Sequence, residues 1–472
     1  MLLDNASKVL DPLLVLLCAR LYVGGGWGFF KYYESILLLL MRLAVVGMDR
    51  GVVWIYAKRG SDESFLRVFS RAVNFVMLFA VFLSLLAVAQ WAGWLPAWGR
   101  FAHGAVGASW FDILCYLASL PFQCAMLLFL QALVNKRALY PFAFIRNMVV
   151  PLATLGPAAL LALTPLKPHG LAIPYLFGSI LGFALSAGFF LKAYPSVWRS
   201  WAPSAWIPRD MIRYSLPLAS TDFVMSFAYR IDILLLGRYA GLRVVEVYAI
   251  IVMISNALLT LKQSFDNIIL SVFSKKIPGQ LVDEEYRHSF NYATWMVFTA
   301  RIPFFFLACF FGRKLLYLIS PVYMTGYSTL ILATAFILFA TPLAFASIML
   351  MGLGKTKVIP VSQVLFFLLT LGFNLWLIPA HGMQGAAVAM GVSTVITNIF
   401  CMVALRYYEK TWYFQTSYLW HALIETLFFA PFLAVYVWLS PSLPVTILLF
   451  LAGALLYGAY TWKIWNRLRT LA

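Results

Sequence analysis

R-Y-S-L-P-L-A-S-T-D-F-V-M-S-F-A-Y-R-I-D-I-L-L-L-G-R-Y-A-G, Arg213 to Gly241, is followed by a second apolar run that ends at S-V-F-S-K-K (Ser271–Lys276). Both runs are apolar enough to cross a bilayer, yet they carry Asp222, Arg230, Asp232, Lys262 and Asp266. A charge at membrane depth is costly and demands a partner, water or a ligand. The rest of the chain repeats the pattern. Over 472 residues, 63% are hydrophobic and 11% charged, whereas soluble domains are about one half apolar. A spanning helix needs about 20 mostly apolar residues. About fourteen such segments follow one another, near 9–30, 32–57, 72–95, 107–134, 138–164, 171–193, 210–238, 244–271, 289–311, 324–352, 355–379, 382–406, 417–439 and 442–463. Short alternating strands with a polar inner face, the mark of a membrane β-barrel, are lacking. The expected fold class is therefore an all-α polytopic membrane protein.

A net charge of +18 would suit a nucleic-acid binder, but its distribution points elsewhere. With the N-terminus placed in the cytoplasm, twenty-one Lys and Arg residues fall at inner loops and ends, and seven at outer ones. That asymmetry follows the positive-inside rule. An even number of crossings then puts both termini in the cytoplasm. Few basic residues precede Leu13 and no small-residue cleavage site follows, so no removable signal peptide is expected.

No loop is long enough for a soluble domain, which leaves the chemistry to helices and their ends. The linker Y-P-S-V-W-R-S-W-A-P-S-A-W-I-P-R-D (Tyr194–Asp210) mixes Trp, Pro and Arg as an interfacial segment does. It separates residues 1–193 from 210–406, with 194–209 as the cytoplasmic linker and 407–472 as two additional helices and a tail. A second polar linker, Ile277–His288, reads as a short surface helix. The two halves resemble each other. G-M-D-R-G-V-V-W-I-Y-A-K-R (Gly47–Arg59) aligns with S-F-D-N-I-I-L-S-V-F-S-K-K (Ser264–Lys276) at an offset of 217, matching Asp49 to Asp266. Gln131–Arg137 aligns with Met351–Lys357 at 220, and P-H-G-L (Pro168–Leu171) with A-H-G-M (Ala380–Met383) at 212. Three matches in order imply two pseudo-symmetric lobes of six helices, related by an axis along the membrane normal. In transporters such repeats place the substrate between them, near the midplane.

The run L-P-L-A-S through R-I-D-I-L-L-L-G-R-Y-A-G to E-V-Y-A-I-I (Leu216–Ile251), then L-M-G-L-G-K-T-K-V (Leu350–Val358) and N-L-W-L-I-P-A-H-G-M-Q-G-A-A-V-A (Asn374–Ala389), resembles the Wzx-type polysaccharide flippases. These belong to the multidrug/oligosaccharidyl-lipid/polysaccharide exporter (MOP) superfamily, with the lipid II flippases and the MATE drug exporters. The resemblance is specific mainly in the C-terminal half. It implies a V-shaped molecule of two lobes working by alternating access in a bacterial inner membrane. The last two helices, His421–Lys463, are similar to those of the fourteen-helix lipid II flippases, whereas many Wzx proteins have twelve.

Seven basic residues fall inside the expected spans: Arg20, Arg42, Arg50, Arg146, Arg230, Lys262 and Arg301. At 1.5 Å rise per residue, Arg42 and Arg301 fall near mid-bilayer. Arginine suits bidentate phosphate binding, so these residues are the candidate lining of a cationic cavity. Each also has a plainer reading. Lys262 and Asp266 are four apart on one helix face and can neutralise each other. Arg50 can snorkel to the interface. Arg20 stands one turn before G-G-G-W-G (Gly24–Gly28), which is either a bend or a helix end. In a continuous helix Arg42 and Asp49 lie two turns apart, so a direct pair would strain both. Arg230 and Asp232 point apart, and at least one needs another partner. The carboxylates Asp49, Asp112, Asp222, Asp232 and Asp266 are read first as counter-ions. H⁺ or Na⁺ coupling is the second role for Asp49, Asp222, Asp232 and Asp266.

Other chemistry finds no support. Cys18, Cys115, Cys124, Cys309 and Cys401 lack metal or disulfide spacing, and His103, His169, His288, His381 and His421 are scattered. G-L-G-K-T does not complete a phosphate loop. No metal, cofactor or catalytic residue is expected. The expectation is a non-enzymatic flippase that moves an anionic undecaprenyl-pyrophosphate-linked oligosaccharide outward, beside membrane lipids and polymerase or glycosyltransferase partners. A lipid II-type flippase or a MATE-like exporter is the alternative. A cationic-drug exporter should have acidic lining, whereas bases outnumber acids here seven to five. A glycan polymerase or ligase should show a large outer loop.

Overall fold

The computed structural model describes residues 2–59, 61–92, 109–274, 284–410, 412–413, 416–439 and 442–469. Within them the regular structure is helical throughout: α1 (Leu2–Leu21), α2 (Gly26–Val45), α3 (Met48–Arg59), α4 (Asp62–Trp91), α5 (Trp110–Asn135), α6 (Leu139–Phe144), α7 (Val150–Leu161), α8 (Ala172–Ala193), α9 (Val197–Ser200), α10 (Arg209–Ala228), α11 (Ile231–Tyr239), α12 (Leu242–Ser274), α13 (Glu284–Ile319), α14 (Tyr327–Ala340), α15 (Ala346–Gly352), α16 (Val358–Glu409), α17 (Thr416–Leu427), α18 (Ala430–Leu439) and α19 (Leu443–Arg469). Among the described residues, nine helical stretches are long and apolar enough to cross a membrane, and two shorter apolar helices, Pro12–Leu21 and Leu423–Leu439, accompany them. The protein is a multi-pass α-helical membrane protein.

Several boundaries move from the sequence reading, each for a local reason. Expected spans 9–30 and 32–57 meet near Lys31, but the chain turns earlier, at Gly24 (φ 108°) and Gly25 (φ 110°), a backbone only glycine adopts freely. It breaks again at Val46 (φ 48°) and Gly47 (φ 68°), between α2 and α3. The expected span 210–238 breaks at Tyr229–Arg230, so Arg230 caps α11. The expected break between spans 355–379 and 382–406, by contrast, stays in place: the 52-residue α16 turns at Gly382 (φ 53°, ψ −130°), three residues after Pro379. Beyond that turn, a Cβ on Gly385 would lie 2.3 Å from the Leu377 carbonyl oxygen, so the two arms touch backbone to backbone. Of the linker 277–288, residues 277–283 lie outside the described residues, and Glu284–His288 open α13 rather than a separate helix. Lys275, Lys276 and His103 also lie outside them.

The contacts divide the chain into two compact units, Met1–Ala249 and Ile250–Ala472. In the first, α5 is central, packing on α2, α3, α4 and α8. Of its most apolar window 72% is buried, against 28% for α4. Helix α8 approaches through Gly178 and Gly182, where a Cβ would meet Thr154 Oγ1 at 2.4 Å and Met126 Sδ at 2.6 Å. Small residues four apart let helices come close in lipid, where packing replaces the hydrophobic drive. The linker after α8 is pinned to this unit: Tyr194 donates to the Ala132 carbonyl, Ala202 N–H to Ser70, and Asn74 to the Ala202 carbonyl. Beyond it, α10 packs on α2 and α3, and α11 on α2, so the contact division falls later than the sequence linker.

The second unit is built around α13. One apolar cluster joins Phe290 and Val297 of α13 to Phe273, Phe345, Met349 and Leu405. Another joins Ile302, Phe306 and Phe310 to Phe429 and Tyr457, with Phe306 stacked on Phe429 at 4.4 Å. The last three helices are thereby packed onto α13.

Candidate functional site

In the first unit the charged residues are organised by a close helix crossing. Gly47 and Gly51 face α10, where a Cβ would lie 2.5 Å from the Ser215 carbonyl oxygen and 2.3 Å from Ser215 Oγ respectively; Ala219 also lies against Gly47. Two glycines four apart meeting two small residues four apart is a membrane crossing motif. Asp49 and Arg50 stand between those glycines. The crossing delivers Arg50 to Asp222, one turn beyond Ala219, with Nη2 2.8 Å from Oδ1. The Arg50 side chain stays 53% exposed.

The break at Val46–Gly47 overturns one expectation. With the helix interrupted there, Arg42 Nη1 and Asp49 Oδ2 come to 3.5 Å, a pair that a continuous helix would strain. Asp49 is buried, and its Oδ1 has no partner. Arg146 lies in a single π-turn, Ile145–Val149, between α6 and α7, a wide turn that recurs at functional sites. Its guanidinium is exposed and sits 5.7 Å from the Phe142 ring centroid. Arg42, Asp49, Arg50 and Asp222 are thus joined pairwise, while Arg146 carries charge with no carboxylate bonded to it among the described residues.

The remaining first-unit residues have separate surroundings. Arg20 is exposed near the end of α1. Arg230 is half-buried and forms no ion pair among the described residues. Asp232 is 2% exposed and accepts hydrogen bonds from Tyr248 Oη and the Ile233 N–H, both at 2.7 Å. The partner it required is therefore a tyrosine on α12. Asp112 is 2.8 Å from His169 Nδ1, joining α5 to the turn before α8.

In the second unit Lys262 Nζ pairs with Asp266 Oδ1 at 2.7 Å, along one face of α12. Arg301 is 1% exposed. Its Nε donates to the Leu258 carbonyl (2.9 Å) and Nη1 to Thr341 Oγ1 (2.6 Å), while Nη2 has no partner. Arg301 is thus bound into the protein and Arg50 open to its surroundings, although both are candidate cavity residues by sequence.

Glu246, Glu425, Asn374 and Thr370 are buried polar residues that the sequence reading does not single out. Glu246 accepts from the N–H groups of Gly24 (3.4 Å) and Gly25 (2.6 Å), tying the α1–α2 turn to α12. Gly28 completes that contact, because a Cβ there would lie 1.9 Å from the Leu242 carbonyl oxygen. Glu425, on α17, is fully buried against Trp295 and Thr299. Asn374 is buried with both amide atoms unpartnered, and so is the hydroxyl of Thr370 one turn earlier. The two glutamates stand as charges in apolar runs of the sequence. Asn374 is uncharged and gave no signal of cost.

Among the described residues, no group of three His, Cys, Asp or Glu could hold a metal, and all five cysteines are buried and unpaired. No family model and no curated protein matches the chain. Solved structures do. A lipid II flippase, MurJ, in an inward closed conformation superposes with a TM-score of 0.74 at 15% identity, covering 99% of this chain and 100% of that one. An inward-facing multidrug MATE transporter of the MOP superfamily gives 0.59 at 13%, covering 87% of this chain and 99% of that one. A MOP-superfamily transporter from Pyrococcus furiosus gives 0.56 at 14%, covering 86% and 93%. At such identities the likeness is one of fold: this chain has the fold of MOP-superfamily transporters, with no preference shown for the Wzx-type branch.

Proposed function

We propose that the chain is a flippase for an anionic lipid-linked saccharide, carried on undecaprenyl pyrophosphate, which it moves from the cytoplasmic to the outer leaflet by alternating access. It would do so in a bacterial inner membrane with both termini cytoplasmic, making and breaking no bond, for assembly of surface polysaccharide. The observation that carries this reading is the set of first-unit guanidinium groups that hold no carboxylate. Arg42 and Arg50 are each committed to one carboxylate, while Arg146, Arg20 and Arg230 have no carboxylate bonded to them among the described residues. Guanidinium groups that are not neutralised internally suit pyrophosphate, which presents several oxygens for bidentate bonds. The polyprenyl tail would stay in lipid.

A second reading, a lipid II-type flippase, is favoured by the full-length superposition on MurJ, which extends over the helices after α16. Both readings share the pyrophosphate and differ in the sugar. An exporter of cationic drugs fits less well, because the exposed or half-buried candidate residues without an ion pair among the described residues, Arg20, Arg146 and Arg230, are basic.

The test is binding of undecaprenyl pyrophosphate to the reconstituted protein. Arg146→Ala and Arg230→Ala are expected to weaken binding at least tenfold with the melting temperature unchanged, and Arg146→Lys to recover part of it. Undiminished binding in both alanine variants would overturn the assignment. Competition between lipid II and oligosaccharide-bearing carriers then decides the sugar class.

A further inference from the structure

Glu425, like Asp232, meets neutral donors rather than a base. It is 0% exposed on α17, and among the described residues no basic side chain pairs with it. Asp49, Asp222 and Asp266, by contrast, each hold a base, at 3.5, 2.8 and 2.7 Å. Its oxygens meet neutral donors: Trp295 Nε1 is 3.0 Å from Oε1, and Thr299 Oγ1 lies 3.2 Å from Oε1 and 3.0 Å from Oε2. A carboxylate held by neutral donors at membrane depth retains most of its desolvation cost, and a proton removes that cost.

The partners fit a proton in particular. An indole N–H only donates, so Trp295 stays on Oε1 in either state. A threonine hydroxyl has one hydrogen and can also accept. Thr299 can donate to the ionised carboxylate, or accept from a proton on Oε2, without movement of heavy atoms. A metal ion would instead meet the Trp295 N–H, which can only donate. The Thr299 carbonyl accepts from the Tyr457 hydroxyl of α19.

We propose that Glu425 is an exchangeable proton site, with the proton on Oε2, set where α17 and α19 meet α13. The groups facing it among the described residues are few. From α13 come Trp295 and Thr299, while Arg301 is committed to Leu258 and Thr341. From α19 comes Tyr457, whose hydroxyl is occupied by the Thr299 carbonyl. Helix α18 carries no charged residue. The sequence places His421 four residues before Glu425 on α17. Because Thr299 contacts both Glu425 and Tyr457, the charge on Glu425 bears on how the last helices hold α13. The proposal does not depend on the identity of the cargo.

The experiment is pH-difference infrared spectroscopy of the full chain in lipid vesicles. The wild type and His421→Gln are expected to show a protonated-carboxyl carbonyl band that grows on acidification and is lost in Glu425→Gln. Trp295→Phe removes a donor that favours the charged form, so the midpoint of the band moves to higher pH. The proposal is overturned if Glu425→Gln leaves the titrating bands as in the wild type, or if the Trp295→Phe midpoint does not move. Should Glu425→Gln fail to fold, the Trp295→Phe shift decides alone.

Discussion

Arg50 and Arg301 carry the same charge in opposite surroundings, and that contrast separates binding from stability. The Arg50–Asp222 pair is half-open on its arginine side, and exposed pairs contribute about 0–1 kcal/mol. Arg50→Ala should therefore shift the melting temperature little while weakening binding of undecaprenyl pyrophosphate; calorimetry and a binding titration on one preparation check both. Arg301 is closed in and divided between Leu258 and Thr341. Lysine keeps the charge but cannot reproduce a two-ended grip. Arg301→Lys should cost about 1–3 kcal/mol, the penalty of leaving buried polar groups unsatisfied, as a lower melting temperature. The sequence marked both residues as costly but could not say which was buried, because burial depends on which helix faces meet. It also could not foresee that Asp232 is held by Tyr248, since a neutral partner leaves no trace in charge patterning.

At the scale of elements, glycine decides where helices stop and how closely they pass. Gly47 has a positive φ of 68°, and a Cβ there would lie 2.5 Å from a backbone oxygen. Gly51 is helical, and its added Cβ would meet side chains alone, the Ser215 hydroxyl at 2.3 Å, which can rotate, and the flexible Met211 side chain at 3.1 Å. Gly47→Ala is thus expected to destabilise clearly more than Gly51→Ala, and Ser215→Ala should restore stability to Gly51→Ala but not to Gly47→Ala. Melting temperatures of the five proteins test that order. Helix positions were largely legible, because apolar runs of spanning length are hard to misread. The breaks at Gly47 and Arg230 were not, since hydropathy continues across them while the backbone turns. Arg42 and Asp49 were read as too far apart for that reason.

For the whole molecule, composition and charge sufficed to place the chain among helical membrane proteins, and degenerate motifs to suggest the superfamily whose transporter fold it has. The cargo was less legible. A sugar is recognised by a few side chains whose relative placement no linear pattern encodes, and a pyrophosphate leaves only an excess of arginine. The central claim is translocation of a pyrophosphate-linked saccharide, and it is tested most directly in vesicles holding that lipid in both leaflets, with an impermeant saccharide-reactive reagent outside. Vesicles containing the protein should expose the whole pool to the reagent, while protein-free vesicles keep the inner-leaflet pool protected. An inner pool equally protected with and without the protein would contradict the account.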